Sequence, residues 1–159
     1  MAEQSITVSH PPQAVLRAIN PILAMLLRTP LAGPARKQLM VMSYTGRKSG
    51  RKYSIPLSAH QIDNDLYALT AAPWKHNFRD GAAAQVLHDG KTATMRGQLI
   101  GDRALVADIY SRCAESYGAK GAERAMGLKF ADHQMPTRED FAHAVDQLHL
   151  GAVRFTPAA

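Results

Sequence analysis

The sequence has little cysteine and few aromatic residues, and both shortages exclude classes of protein. Cys113 is the only cysteine in 159 residues, so an intramolecular disulfide and a thiolate metal cluster are excluded. The seven histidines form neither a His-Glu-x-x-His nor a His-x-His pattern, and we expect no metal site. Aromatic residues make up 6% of the chain and are not interleaved with the basic residues, so we expect no nucleic-acid partner.

A long hydrophobic run is also missing. The uncharged stretch 18–27 has only ten residues, whereas a membrane-spanning helix needs about 20. The first ten residues are polar and lack the basic start of a signal peptide, so we expect a cytoplasmic protein. The predicted amphipathic helix over 11–28 leaves two roles open: packing on the core or on a dimer partner, and peripheral contact with the inner face of the membrane.

Positive charge is in excess and locally concentrated. Nineteen Lys and Arg against thirteen Asp and Glu give a formal net charge of +6. Arg47, Lys48, Arg51 and Lys52 fall within six consecutive residues. This balance suits an anionic partner, such as a phosphate group, a nucleic acid or an acidic lipid surface.

Hydrophobic periodicity and turn residues predict an α+β protein built on an antiparallel β-barrel. The predicted strands cover residues 39–45, 53–59, 66–71, 84–87, 92–100 and 153–155. The predicted helices cover 11–28, with a restart at Asn20-Pro21, then 102–118 and 137–150, and a short helical segment covers 73–80. Pro56 requires its strand to be at an edge, an end or a bulge. We expect one domain over 11–156 with flexible ends at 1–10 and 157–159; the Gly-x-Gly-x-x-Gly fingerprint of a dinucleotide-binding fold is absent.

A glycine-flanked basic turn at residues 46–50 joins two predicted strands. Gly46 and Gly50 permit positive φ, so that backbone N–H groups can point into one concavity that binds an anion. Arg47 and Lys48 add charge-assisted hydrogen bonds and Ser49 adds a hydroxyl group. The spacing is not that of a Walker A loop. From the motif alone, a solvated turn, an anion site and a nucleic-acid contact all remain open.

Several motifs together resemble one family. They are Leu26-Leu27-Arg28-Thr29-Pro30-Leu31, Tyr44-Thr45-Gly46-Arg47-Lys48-Ser49-Gly50, Ile55-Pro56-Leu57, Pro73-Trp74 and Asn77-Phe78-Arg79. In this order and spacing, over about residues 21–101, the chain resembles the deazaflavin-dependent nitroreductases and quinone reductases of actinobacteria and their relatives. The resemblance implies a split β-barrel like that of pyridoxamine phosphate oxidases, with an N-terminal helix and C-terminal helices. Dimers are common in such barrels, so it also implies a candidate homodimer.

The resemblance implies that the chain binds the deazaflavin coenzyme F420, with FMN a less favoured choice. In such proteins the glycine-flanked turn holds the phosphate and the acidic tail of the coenzyme. The strand after it, and the segment with the tryptophan, line the ring and the ribityl chain. Carried onto this sequence, the cofactor-binding residues are Arg47, Lys48, Ser49, Tyr53, Ser54, Ile55, Pro56, Leu57, Ser58, Thr70, Ala71, Trp74, Lys75 and Asn77. Tyr53 stands where many relatives have a basic residue, and Lys75 where many have tyrosine.

The implied activity is hydride transfer from reduced F420 to a small-molecule acceptor, namely a quinone, a nitro-compound or an activated alkene. The cofactor carries the hydride, so the chain needs only a proton donor. Tyr117 is a weak candidate for that donor, and no catalytic residue is identified. The alternatives are a non-catalytic carrier of a flavin, a deazaflavin or a fatty acid on the same barrel, and a basic scaffold for membrane or nucleic acid. Cys113 lies on the apolar side of its predicted helix, which indicates a buried structural thiol.

Overall fold

The computed structural model describes residues 6–8 and 39–158, and these form nine strands and three α-helices. The strands are β1 (Ile6–Val8), β2 (Leu39–Thr45), β3 (Lys52–Ser58), β4 (His60–Ile62), β5 (Asp65–Thr70), β6 (Ala82–His88), β7 (Lys91–Leu99), β8 (Leu128–Phe130) and β9 (Gly151–Pro157). The helices are α1 (Arg103–Tyr117), α2 (Ala119–Met126) and α3 (Arg138–Leu148), with 3₁₀-helices at Pro73–Phe78 and Ala131–His133. The helix predicted over 11–28 lies outside the described residues.

Seven strands form one curled antiparallel sheet in the order β3-β2-β6-β7-β9-β5-β4. Every neighbouring pair in it is antiparallel. The three helices follow the first six strands of this sheet in the chain, and β9 then returns to pair between β7 and β5. The predicted fold class, an α+β antiparallel split barrel with C-terminal helices, is confirmed.

Local sequence signals account for the hairpins and for the helix ends. Asp89 and Gly90 both have positive φ between β6 and β7, as a tight two-residue hairpin turn requires. The Asp102 carboxylate accepts hydrogen bonds from N–H groups in the first turn of α1, and the bond from the N–H of Ala104 is 2.9 Å long. Thr137 forms the predicted capping box at the start of α3. β3 is an edge strand, which explains why Pro56 is tolerated in it.

Two hydrophobic clusters lie on opposite faces of β5 and β9. The helical cluster packs α1, α2 and α3 together with β1 and β8. The barrel cluster fills the concave side of the large sheet. Because strand side chains alternate, β9 contributes Ala152 to the first cluster and Val153 to the second. Phe78, fully buried at the end of the first 3₁₀-helix, packs into the barrel cluster and so ties that helix to the sheet.

Three strands and one α-helix were not predicted: β1, β4, β8 and α2. The sequence analysis placed residues 6–8 in a flexible end, whereas β1 pairs with β8 and Ile6 is 1% exposed. Three-residue strands carry too little periodicity to be recognised, and their stability comes from the helical cluster against which they pack. Within residues 6–8 and 39–158, no helix is both long and apolar enough to cross a bilayer.

Candidate functional site

A cavity of about 620 Å³, called the basic cleft below, opens between the 46–50 turn and the first 3₁₀-helix. The turn after β2 supplies one wall and the segment from Pro73 to Arg79 supplies the other. The described residues that line it are Tyr44, Gly46, Arg47, Lys48, Ser49, Tyr53, Pro73, Trp74, His76, Asn77 and Arg79. The predicted basic turn therefore faces a hollow rather than open solvent alone.

The 46–50 turn is closed by its own hydrogen bonds. The N–H of Gly46 donates to the carbonyl of Arg51 at 2.8 Å, and the N–H of Gly50 donates to the carbonyl of Gly46 at 2.9 Å. Gly50 has a φ of +70°, a backbone conformation that favours glycine, and a Cβ on Gly46 would lie 2.8 Å from the Ser49 Oγ and displace that side chain. The N–H of Arg51 donates to that same Oγ.

This geometry corrects the expectation that the turn offers all of its N–H groups to an anion. The N–H groups of Gly46, Arg47, Gly50 and Arg51 already donate to acceptors within the protein. These four groups are therefore not available to an anion in the basic cleft, whereas the cationic side chains of the cleft make stronger hydrogen bonds than a neutral N–H does.

Asn77 joins the two walls of the basic cleft. Its Oδ1 accepts a hydrogen bond from the N–H of Arg47 at 2.8 Å, and its Nδ2 donates to the carbonyl of Trp74 at 2.8 Å. The 3₁₀-helix has three residues per turn, so Trp74 and Asn77 fall on the same side of it. By the same period, Lys75 and Phe78 point together into the protein, and both are buried.

The charged side chains of the basic cleft are all of one sign. Arg47, Lys48 and Arg79 carry positive charge, and no Asp or Glu is found among the described lining residues. The pKa of His76 is lowered by desolvation, and then by the charges of Lys75, Arg79 and Arg47. The cleft therefore presents an uncompensated positive field, which favours the binding of an anion.

An aromatic surface forms the remaining side of the basic cleft. The rings of Tyr44 and Tyr53 are stacked with centroids 5.4 Å apart, and Tyr44 lies 6.2 Å from Trp74. Tyr53 is 40% exposed, so part of its ring surface is accessible from the cleft. Desolvation raises the pKa of Tyr44, so its hydroxyl stays neutral at physiological pH.

The structure brings together fewer than half of the predicted cofactor-binding residues. The ones that line the basic cleft are Arg47, Lys48, Ser49, Tyr53, Trp74 and Asn77. Ile55 and Leu57 instead pack against the barrel cluster. Ser54, Pro56 and Ser58 point to the opposite face of β3, because side chains alternate along a strand.

Thr70, Ala71 and Lys75 also lie outside the lining of the basic cleft. Thr70 and Ala71 line a separate, mostly apolar cavity of about 120 Å³ beside Leu150. Lys75 is 7% exposed, and its Nζ donates to the carbonyl of Ala71 at 3.1 Å. Desolvation lowers the pKa of this buried amine. The sequence analysis assigned these residues to the site because they are close in sequence to Trp74. In the structure their side chains point away from the basic cleft.

Tyr117 lies outside the described lining of the basic cleft. Tyr117 is the last residue of α1, and its hydroxyl is 2.8 Å from the Nδ1 of His60.

Two titratable groups near Tyr117 are uncharged. Burial lowers the pKa of His60 to about 4 and raises that of Cys113 to about 12, so both stay uncharged at neutral pH. Cys113 is buried in the helical cluster as predicted. In the described part of the chain, no group of three or more His, Cys, Asp and Glu side chains is placed to hold a metal ion.

The sequence analysis did not name Tyr44 and Arg79 as site residues, and it included His76 only as part of the segment with the tryptophan, although all three line the basic cleft. Tyr44 could have been found from the strand register, since it pairs directly with Tyr53 across the hairpin. His76 lies on the 3₁₀-helix, and Arg79, three residues later, caps its C-terminal end on the same edge. Recognising that edge requires knowing which side of the helix is buried.

Comparison with known proteins adds little to this geometry. Neither a protein-family model nor a curated protein sequence matches the chain. A solved structure described as a domain-swapped dimer has 12% identity and a TM-score of 0.45, covering 92% of this chain and 100% of its own. A candidate pyridoxamine 5'-phosphate oxidase from Listeria innocua has 9% identity and a TM-score of 0.44, covering 89% and 94%. A conserved hypothetical protein from Mycobacterium tuberculosis has 11% identity and a TM-score of 0.45, covering 99% and 87%. Likenesses this weak assign no function.

Proposed function

We propose that this protein binds a phosphate-bearing deazaflavin of the F420 type in the basic cleft and reduces a small organic acceptor. The acceptor classes are quinones, nitro-compounds and activated alkenes. One observation supports this proposal above the others: cationic side chains and a stacked aromatic surface line the same cavity of about 620 Å³. A ligand with an anionic tail and a flat aromatic ring matches both surfaces.

The residues present fit such a cofactor in chemical type. Arg47 and Lys48 would hold its phosphate and acidic tail through charge-assisted hydrogen bonds, with the Ser49 hydroxyl beside them. Tyr53 and Trp74 offer ring faces to an aromatic system. Among the described lining residues no carboxylate opposes an anionic ligand.

When bound in its reduced state, the cofactor supplies a hydride. The chain contributes position and environment. Asn77 holds the 46–50 turn at a constant distance from the 3₁₀-helix, so the cationic and aromatic surfaces keep their spacing. The neutral hydroxyl of Tyr44 adds no negative charge to the cleft. Phe78, packed in the barrel cluster, anchors the wall that carries Trp74.

Trp74 is the only tryptophan of the chain and lines the basic cleft, so its fluorescence reports binding directly. Titration with F420, FMN and a long-chain fatty acid should show F420 bound most tightly. The Arg47→Ala/Lys48→Ala double variant should bind F420 at least about tenfold more weakly, since one hydrogen bond to a charged group contributes about 1.5–3 kcal/mol. A control that loses the same charge elsewhere, Lys120→Ala/Lys129→Ala, should bind as the parent does.

Catalysis is tested by following the oxidation of reduced F420 on addition of menadione, a nitroimidazole or an enone. Oxidation that requires both protein and acceptor supports the reductase. Tight F420 binding without oxidation supports the non-catalytic carrier instead. Preference for the fatty acid, or equal affinity in the double variant and its control, would overturn the assignment of the cofactor to this cleft.

A further inference from the structure

His76 is held in one tautomer by Arg79, the residue that caps the C-terminal end of the 3₁₀-helix. Its Nδ1 lies 3.2 Å from the Nη2 of Arg79. A guanidinium group only donates hydrogen bonds, so Nδ1 must accept this one, and the single ring proton of the neutral imidazole lies on Nε2. In this arrangement His76 is uncharged although it lines a cleft for anions.

The groups around His76 oppose its protonation from several elements. Arg47 and Lys48 face the cleft from the 46–50 turn, Lys75 precedes His76 on its own helix, and Arg79 caps the end of that helix. Tyr44 and Tyr53 face the cleft from β2 and β3, and desolvation raises the pKa of Tyr44, so its hydroxyl adds no negative charge. Desolvation and this positive field keep the pKa of His76 below its ordinary value while no anion is bound.

An anion in the cleft weakens two of the interactions that keep His76 neutral, namely the positive field and the hydrogen bond from Arg79. Its charge offsets the positive field, and it offers acceptor oxygens to Arg79, whose side chain is exposed and able to turn. Once Arg79 has turned toward the anion, Nδ1 of His76 has lost its donor and can take a proton from solvent. The protonated imidazole is then a further cationic donor in the cleft.

We propose that His76 is a ligand-contacting residue that takes up one proton when a dianionic group enters the basic cleft, as Arg79 turns from the imidazole to the anion. The inference rests on the proposed function only in that the same cleft binds an anionic ligand. Because the bound state holds more protons than the free state, affinity for the dianion rises as pH falls, by at most about tenfold per pH unit for one proton. The cleft therefore favours ligands in which the group that contacts His76 carries two negative charges.

Sulfate is a suitable probe because it stays fully ionised between about pH 5.5 and pH 8. Trp74 fluorescence gives its dissociation constant, and the Cε1–H resonance of His76 gives the pKa of the imidazole with and without sulfate. We expect the pKa to rise on sulfate binding and the affinity to increase several-fold from about pH 8 to pH 6. His76→Gln should make the affinity independent of pH, whereas His143→Gln, at an exposed site on α3, should leave the pH dependence unchanged.

Arg79→Gln provides a second measurement, since it removes both the donor to Nδ1 and a positive charge. It should raise the pKa of His76 in the empty cleft. Sulfate binding with the same pH dependence in the parent and in His76→Gln overturns this inference and leaves the proposed function standing. Failure of both sulfate and F420 to bind at any pH overturns both.

Discussion

Because Gly97 has no side chain, the ring of Phe78 can pack in the barrel cluster. This packing anchors the 3₁₀-helix that forms one wall of the basic cleft. A Cβ at position 97 would lie 2.6 Å from the Phe78 Cδ1 and 3.0 Å from the Phe155 Cε1. Both rings are almost fully buried in the barrel cluster, so neither can move without disturbing the packing around it. We expect Gly97→Ala to lower the free energy of unfolding by about 1–3 kcal/mol, the usual cost of overpacking.

For a chain of this length that loss corresponds to a fall in Tm of roughly 2–4 °C per kcal/mol. The measurement is thermal unfolding by circular dichroism, with Trp74 emission as a second probe of the displaced wall. Gly101→Ala is the matched control, because nothing lies within 4 Å of its added Cβ. Phe78→Leu should partly relieve the clash, giving a coupling of about 0.5–3 kcal/mol in a double-mutant cycle. Equal Tm values for Gly97→Ala and Gly101→Ala would refute the packing argument.

Two other predictions concern a buried histidine and the bridge between the walls. His60, with its pKa lowered from 6.5 to about 4, is neutral when folded, so stability should fall as pH drops through this range, by about 3 kcal/mol in total from this group. Urea unfolding of His60→Gln should show a flatter pH profile, and an unchanged profile would contradict the assignment. Asn77→Leu removes two hydrogen bonds and should cost about 1–2 kcal/mol and weaken F420 binding. Asn77→Asp, which keeps an acceptor for the N–H of Arg47, should be more stable than Asn77→Leu; equal unfolding free energies in urea would contradict the bridge.

Features that depend on a few consecutive residues could be predicted from the sequence. The hairpin at Asp89-Gly90 and the caps at Asp102 and Thr137 depend on positive φ and on hydrogen bonds that reach two or three residues along the chain. Strand β2 was predicted at its observed bounds because apolar residues fill it and the turn signals begin immediately after it. By contrast, β1 and β8 stabilise each other across more than a hundred residues, and no local pattern records that pairing.

The site divides in the same way. The sequence by itself determined the basic turn: its two glycines, its adjacent cations, and its position between two paired strands. Only the tertiary structure decided which side chains share a cavity with that turn. In the folded chain Lys75 is buried and His76 and Arg79 line the cleft. Tyr117 instead contacts His60. The physical reason is that the direction of a side chain on a short helix or an edge strand depends on which face is buried, and burial is set by residues distant in the chain.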